Sequence, residues 1–146
     1  MTASLLHEHD GLRTFAVVLS EGDEAVAVLT TFAAQQRLGA SQVTAIGAFS
    51  HAVVAYFDWK TKQYRPISID EQMEVLSFVG DVTIDKGTPK LHAHVVLGDK
   101  TAAARGGHLM QGFVRPTLEV LLTESPRHLR RRLDPESGLA LIDPTK

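Results

Sequence analysis

Residues 73–97 read MEVLSFVGDVTIDKGTPKLHAHVVL, and the organisation of the chain can be inferred outward from this segment. Met73 to Ile84 and Leu91 to Leu97 are rich in apolar, β-branched residues with a period near two, which is typical of β-strands. Between them, residues 85–89 (DKGTP) have the composition of a turn. We therefore predict two strands joined by a tight turn.

Strand patterns continue on both sides of this segment, and turn signals such as Gly47, Gly98-Asp99 and Gly106-Gly107 separate them. The further predicted strands are Leu12 to Leu19, Gln42 to Phe49, His51 to Asp58, Tyr64 to Ile69, Gly112 to Arg115 and Thr117 to Glu124. Residues 26–38 instead repeat apolar side chains at helical spacing, after an acidic cap at 21–24 and before a stop at Gly39. The prediction is an α+β single domain, a mostly antiparallel sheet with one long packed helix.

The composition excludes several classes of protein. The 146 residues suit one domain, and 15 basic against 17 acidic residues create no overall field that would attract nucleic acid or anionic lipid. The absence of cysteine excludes disulfides, Cys-ligated zinc and thiol nucleophiles. No segment approaches the roughly 20 apolar residues of a membrane helix, and the first residues do not resemble a secretory signal. We expect a cytoplasmic protein without a membrane partner.

The segment Leu91-His92-Ala93-His94 is the strongest candidate for a functional site. Histidines at positions i and i+2 of a strand project from the same face. His108 follows the glycine pair 106–107, which we expect to form a tight bend that returns the third ring to this strand. Three neutral imidazoles suit a divalent metal, with zinc favoured, and leave a coordination position for water or substrate. The alternative is a set of polar strand residues bonded to carboxylates or water.

Other candidate residues carry weaker signals. His7 and His9 repeat the same spacing in residues 1–10, which we expect to be flexible, so a solvated role is favoured there. His51 could approach the cluster, although an edge position is the default. Glu71 and Glu74 could orient imidazoles or act as a base. The alternative for both acids is a solvated face.

An arginine-rich tail occupies residues 125–146, where we expect one or two helical turns between Pro126 and Leu133. Residues 1–124 carry ten basic and fourteen acidic side chains, so basic charge is concentrated in the tail. Its arginines are Arg127, Arg130, Arg131 and Arg132. They could contact DNA phosphates with strong salt dependence. Short basic segments also solubilise a terminus or pair with acidic residues of a neighbouring subunit.

A series of short motifs between residues 11 and 124 resembles the PPC domain, the plants-and-prokaryotes domain that accompanies AT-hooks in plant nuclear proteins. In chain order they are GDEAV at 22–26, TAIGAF at 44–49, YFD at 56–58, EVLSFVG at 74–80, LHAH at 91–94 with LG at 97–98, GGHL at 106–109 and TLEV at 117–120. Each motif is weak alone, whereas the ordered set is specific.

The resemblance implies an antiparallel sheet with a packed helix, assembled as a homotrimer, and a metal or ligand site at His92, His94 and His108. It also raises a DNA-binding or transcription-associated role, but the Arg-Gly-Arg-Pro core of an AT-hook is absent. The favoured hypothesis is a homotrimer that binds a divalent metal or a small ligand. The alternatives are a DNA-associated regulator and a metal-dependent enzyme of unknown reaction and unknown catalytic residues.

Overall fold

The computed structural model describes residues 1–145, which form one helix and nine strands. In chain order the elements are β1 (Thr2–His9), β2 (Leu12–Ser20), α1 (Ala25–Gln36), β3 (Ala40–Asp58), β4 (Gln63–Ile69), β5 (Met73–Asp85), β6 (Thr88–Gly98), β7 (Ala104–Glu124), β8 (Arg130–Leu133) and β9 (Ala140–Asp143). The predicted α+β class, mostly antiparallel with one helix in a single domain, agrees with this architecture.

Four strands of the single sheet form a closed ring of pairings. β3 pairs with β5 and β7, and β6 pairs with both β5 and β7, all antiparallel. β1 and β2 extend the sheet beyond β7, β4 pairs with β3, and β8 joins β5 in parallel and carries β9. The alternate apolar side chains that face inward from the ring form the core, with Phe49, Phe78 and Leu97 almost fully buried.

Strands predicted as separate segments are continuous in the structure. β3 joins the two segments on either side of Ser50, and β7 joins two predicted segments to the glycine pair 106–107, which was expected to be a turn. Register shifts interrupt the β3–β7 pairing at three places, including the Gly47/Phe49 and Phe49/His51 steps. Such bulges bend a strand without ending it, so the turn signal at Gly47 marked a bend within the long strand β3.

The helix is shorter than the predicted long helix and has 12 residues. Its N-terminus is capped by Glu24, whose carboxylate accepts hydrogen bonds from the backbone N–H groups of Val26 and Ala27. At the C-terminus Arg37 adopts a left-handed conformation with φ of 54°, which ends the helix. Two residues later, a side chain at Gly39 would lie 2.9 Å from the His128 ring, so the chain turns there against the tail.

Both ends of the chain pair with the sheet. Residues 2–9, expected to be flexible, form β1 and pair with β2, although every side chain of β1 is exposed. The expected helical turns between Pro126 and Leu133 do not form, because residues 130–133 extend as β8 and pair with β9. Backbone hydrogen bonds hold β1 and β8 in the sheet. Their side chains are mostly exposed, so they lack the alternation of buried and exposed residues by which a strand is recognised in a sequence.

No helix within residues 1–145 combines the length and the apolar character that crossing a membrane requires.

Candidate metal centre

Three histidines from two adjacent strands converge where β6 pairs with β7. His92 and His94 lie on β6, and His108 on β7 is the direct cross-strand partner of His94. One nitrogen from each ring lies within 4.8 Å of the other two. The ring centroids are 5.2 Å apart for His92 and His94, 5.2 Å for His92 and His108, and 5.5 Å for His94 and His108. The structure therefore brings together the three histidines that the sequence singled out.

The glycines before His108 bring β7 close to its neighbours and do not form a bend. Gly106 and Gly107 pair directly with Val96 and Val95 of β6. A Cβ on Gly106 would lie 2.3 Å from the Val95 carbonyl oxygen, so a side chain there would separate the strands. His108 does lie beside the strand that carries the other two histidines, as predicted. It is brought there by the pairing of β7 with β6, which requires the two backbones to approach closely, and not by a bend at the glycines.

His108 is the most enclosed member of the cluster. Its ring stacks on Tyr64 of β4, with centroids 4.6 Å apart and an interplanar angle of 27°. Within residues 1–145 its buried Nδ1 atom has no hydrogen-bond partner. Burial, together with the charges of His92, His94 and Lys90, lowers the pKa of His108 to about 4. His108 is therefore a neutral imidazole at neutral pH, the form that ligates metals.

His94 lies at the exposed edge of the cluster. Partial burial, and then the charge of His92, lowers its pKa below the ordinary value of histidine. Its cross-strand partner on β5 is Val79, an exposed apolar residue, so His94 borders the outer face of the sheet. This position makes His94 accessible from solvent while its ring faces the other two.

Asp81 links His92 to the C-terminal tail. Its Oδ2 atom lies 3.4 Å from Nδ1 of His92, and its Oδ1 atom accepts a hydrogen bond of 2.5 Å from Arg131. Burial opposes ionisation of this carboxyl, but the hydrogen bonds and charges of His92 and Arg131 outweigh burial and lower the pKa of Asp81. A carboxylate on one imidazole nitrogen leaves the other nitrogen of His92 free to ligate a metal.

Asp81 was missed in the sequence, although a signal was present. The turn between β5 and β6 pairs Asp85 with Thr88, and counting back along both strands places Asp81 opposite His92. The carboxylates considered earlier lie elsewhere: Glu71 forms an ion pair with Arg105, and Glu74 is exposed. The strand register, which the turn fixes, therefore identifies the carboxylate beside His92, whereas closeness in the sequence does not.

The remaining histidine candidates stand apart from the cluster. His7 and His9 are exposed on β1, and His9 lies 3.3 Å from Asp10. His51 stacks on Phe113 at 4.2 Å, and its Nδ1 atom lies 3.0 Å from the Ser50 hydroxyl. None of these three belongs to the group of possible metal ligands found within residues 1–145.

The arginine tail does not form one uniform basic surface. The side chain of Arg131 is only 6% exposed, and it donates to Asp81, to the Thr83 hydroxyl at 2.6 Å and to the Ala140 carbonyl at 2.9 Å. Arg132 is exposed and lies 3.5 Å from Asp143. Arg131 therefore cannot contact DNA phosphates, contrary to the expectation that all four tail arginines could do so.

The residues present fit a divalent metal ion. Three imidazoles converge, the carboxylate beside His92 can orient its ring, and the enclosed ring of His108 retains a buried nitrogen without a partner in residues 1–145. Zinc accepts imidazole nitrogen readily, and three protein ligands leave one position of a tetrahedral site open. The arrangement can therefore hold a metal that still binds an external molecule.

Comparisons with known proteins place this geometry in context. The profile of the Plants and Prokaryotes Conserved (PCC) domain matches residues 6–126. No curated protein is significantly similar to the chain.

Several solved structures resemble the chain over most of its length, among them the following three. A plant- and prokaryote-conserved (PPC) protein from Pyrococcus horikoshii is 28% identical with a TM-score of 0.85, covering 99% of this chain and 96% of its own. A metal-containing protein from Archaeoglobus fulgidus is 29% identical with a TM-score of 0.84, covering 97% and 98%. A proposed DNA-binding protein from Ralstonia eutropha is 28% identical with a TM-score of 0.83, covering 88% and 90%.

Proposed function

The chain belongs to the Plants and Prokaryotes Conserved (PCC) domain family, and from this premise we propose that it is a homotrimer that binds a divalent metal ion. The ligands are His92, His94 and His108, and zinc is the preferred ion. The remaining coordination position binds a small ligand. The observation that carries the proposal is the convergence of one nitrogen from each of the three rings within 4.8 Å.

The donor set supports zinc among the common divalent ions. Imidazole is a borderline donor that suits zinc, copper, iron and nickel, whereas magnesium and calcium prefer oxygen. All three donors are nitrogen, and the carboxylate of Asp81 lies 3.4 Å from Nδ1 of His92. The related protein from Archaeoglobus fulgidus is a metal-containing protein, which supports metal binding without identifying the ion.

An exposed apolar face supports self-association. Leu121, Thr44, Val79 and His94 are successive cross-strand partners along one row of the sheet, and Ile46 lies beside this row. Leu121, Val79 and Ile46 are each more than half exposed. Contiguous apolar surface of this kind is typical of interfaces. Because His94 belongs to this row, assembly through this face would place the metal centre beside a subunit boundary.

DNA association is the second candidate function, because one related protein is a proposed DNA-binding protein. The geometry gives it less support. Arg131 is buried in an ion pair with Asp81, and residues 1–124 carry more acidic than basic side chains.

An enzyme of unknown reaction would require a base near the metal position, and Asp81 is already paired with Arg131. Metal binding without an assigned reaction is therefore the preferred function.

The test is the metal content of protein purified without a histidine tag and reconstituted with zinc, manganese, iron or nickel. We expect one zinc per chain in the wild type and at least a tenfold loss of affinity in His94→Ala. This variant should fold normally because His94 is exposed. His51→Ala, which removes a histidine outside the cluster, should retain full stoichiometry.

Zinc binding should also weaken as pH falls, because protonated imidazole cannot ligate a metal. An ordinary histidine protonates near pH 6.5. Since the pKa values of His94 and His108 are lowered, these two ligands remain neutral to lower pH than an ordinary histidine does. Wild-type protein without measurable metal after all four reconstitutions would contradict the proposal.

A further inference from the structure

A cavity of about 150 Å³ lies between the histidine cluster and the C-terminal hairpin formed by β8 and β9. We call it the tail cavity. Its lining residues are Tyr64, Lys90, Leu91, His92, His108, Arg131, Leu139, Ala140 and Leu141. Two of the proposed metal ligands, His92 and His108, therefore form part of its wall. A molecule in the tail cavity would lie beside these two imidazole rings.

The tail cavity combines a lysine side chain with an aliphatic wall. Lys90 supplies an ammonium group, and Leu139 and Leu141 supply apolar surface. The carboxylate nearest the cluster, Asp81, is paired with Arg131, and Asp85 lies 3.3 Å from Lys90. The acidic and basic groups around the cavity thus balance one another. A divalent ion on three neutral imidazoles would leave two positive charges uncompensated.

The volume limits the size of the occupant. The volume of about 150 Å³ is below the range of about 300 to 1,000 Å³ typical of sites for drug-sized ligands. The part of an occupant that the tail cavity encloses therefore has only a few non-hydrogen atoms, and the lining suits an anionic end and a short hydrocarbon part.

We propose that the tail cavity binds a small monocarboxylate, which ligates the metal through its carboxyl group and packs its carbon chain against the tail. This inference rests on the proposed metal site. The aliphatic wall of Leu139 and Leu141 favours a carboxylate over inorganic phosphate, which has no apolar part. Lys90 lines the cavity and remains about half exposed beside Asp85, so its ammonium group can also contact the bound anion.

The experiment titrates zinc-loaded protein calorimetrically with propionate and with propionamide, which has the same shape and no charge. Zinc stoichiometry is measured first. We expect propionate to bind and to bind at least tenfold more tightly than propionamide. Metal-free protein should bind propionate at least tenfold more weakly, because the metal supplies most of the attraction.

Two variants locate the binding. Lys90→Gln should weaken propionate binding about threefold, the range of a solvent-exposed ion pair. Leu141→Glu places a negative charge on the cavity wall and should weaken it about tenfold. Leu141 is largely exposed, so this variant should fold. Lys100→Gln, which changes a lysine outside the tail cavity, is the matched control and should behave as the wild type.

The outcomes separate this inference from the function on which it rests. Failure to load zinc would overturn both. Zinc loading with no propionate binding, or with equal affinity for propionate and propionamide, would overturn the inference and leave the metal site intact. Binding unchanged in both Lys90→Gln and Leu141→Glu would place the anion outside the tail cavity and would also overturn it.

Discussion

At the scale of single residues, the contact between His92 and Asp81 connects the site to the rest of the molecule. The carboxylate lies 3.4 Å from one nitrogen of His92 and holds Arg131 on its other oxygen. Carboxylates behind metal-bound histidines fix the orientation of the ring and raise its basicity. In the proposed metal site, Asp81 would thus be a positioning residue that orients His92.

We predict that Asp81→Asn lowers zinc affinity about 10- to 100-fold, the range typical of such partners. The substitution also leaves Arg131 without its carboxylate, so part of any effect could come from lost stability. Arg131→Met separates the two effects, because it removes the buried cation but keeps Asp81 beside His92. It should lose stability and retain more zinc affinity than Asp81→Asn.

Competition titration with a chromogenic chelator measures the zinc affinity, and urea unfolding measures the stability of each variant. Asp99→Asn is the control, because Asp99 accepts hydrogen bonds within its own exposed turn and lies outside the cluster. Wild-type zinc affinity in Asp81→Asn would show that the carboxylate does not position His92.

At the scale of secondary structure, the site depends on the pairing of β6 with β7. His94 and His108 are direct partners in this pairing, which continues through Val95 with Gly107 and Val96 with Gly106. Gly106 lies so close to β6 that a methyl group there would overlap the Val95 carbonyl oxygen. The distance between the two histidine strands is therefore set by the absence of a side chain at this position.

We predict that Gly106→Ala destabilises the fold by about 1–3 kcal/mol, the usual cost of overpacking. It should also lower zinc affinity, because separated strands move His108 away from His94. Gly87→Ala is the matched control: its φ of 86° makes alanine unfavourable, but a Cβ there meets nothing within 4 Å.

Urea unfolding should therefore detect a loss of stability in both glycine variants, whereas only Gly106→Ala should lose zinc affinity. Equal zinc affinity in the two variants would show that zinc binding does not depend on the distance between β6 and β7.

At the scale of the whole molecule, the apolar outer face bears on self-assembly and the charge distribution bears on DNA binding. The face that carries Ile46, Val79 and Leu121 should be covered by copies of the same chain, because apolar side chains on a sheet surface gain by removal from water. The resemblance to the PPC domain implies that three copies assemble, and we therefore predict a homotrimer. Light scattering at micromolar concentration should report three times the chain mass.

Val79→Lys should weaken this assembly, since it places a charge on the face without altering the core. Thr61→Lys, in the exposed β3–β4 turn, is the control and should leave the mass unchanged. A monomer mass for the wild type would reject the trimer.

The charge distribution predicts weak binding to DNA. Residues 1–124 carry an excess of acidic side chains, the AT-hook core is absent, and Arg131 is buried against Asp81. Any binding should come from exposed tail arginines such as Arg127 and Arg130, and it should fall steeply with salt through counterion release. It should lack sequence preference, because phosphate contacts do not read bases.

Titration against AT-rich and GC-rich duplexes at physiological salt tests this expectation. Arg127→Ala/Arg130→Ala/Arg132→Ala removes the exposed arginine charges of the tail and keeps the Asp81–Arg131 pair that holds the tail. Submicromolar, AT-selective binding that survives this triple substitution would show that the folded sheet reads DNA.

Local patterns in the chain were sufficient for the fold class and for the three histidines. Alternating apolar residues, the Glu24 cap and the i, i+2 spacing of His92 and His94 depend on neighbours a few residues away, so they are visible without coordinates. The ordered motifs supplied the family in the same way. The register of Asp81 against His92 was also accessible, since it follows from the length of one turn.

Tertiary contacts placed what the local patterns left open. Strand β1 was not visible because its side chains are all exposed and leave no burial pattern. The tail shows no local preference for lying over the cluster; Arg131 holds it there through the carboxylate of Asp81, 50 residues earlier in the chain. Such contacts between distant residues form only after the sheet has brought the strands together, because the free energy that stabilises them comes from burial and register across the whole ring.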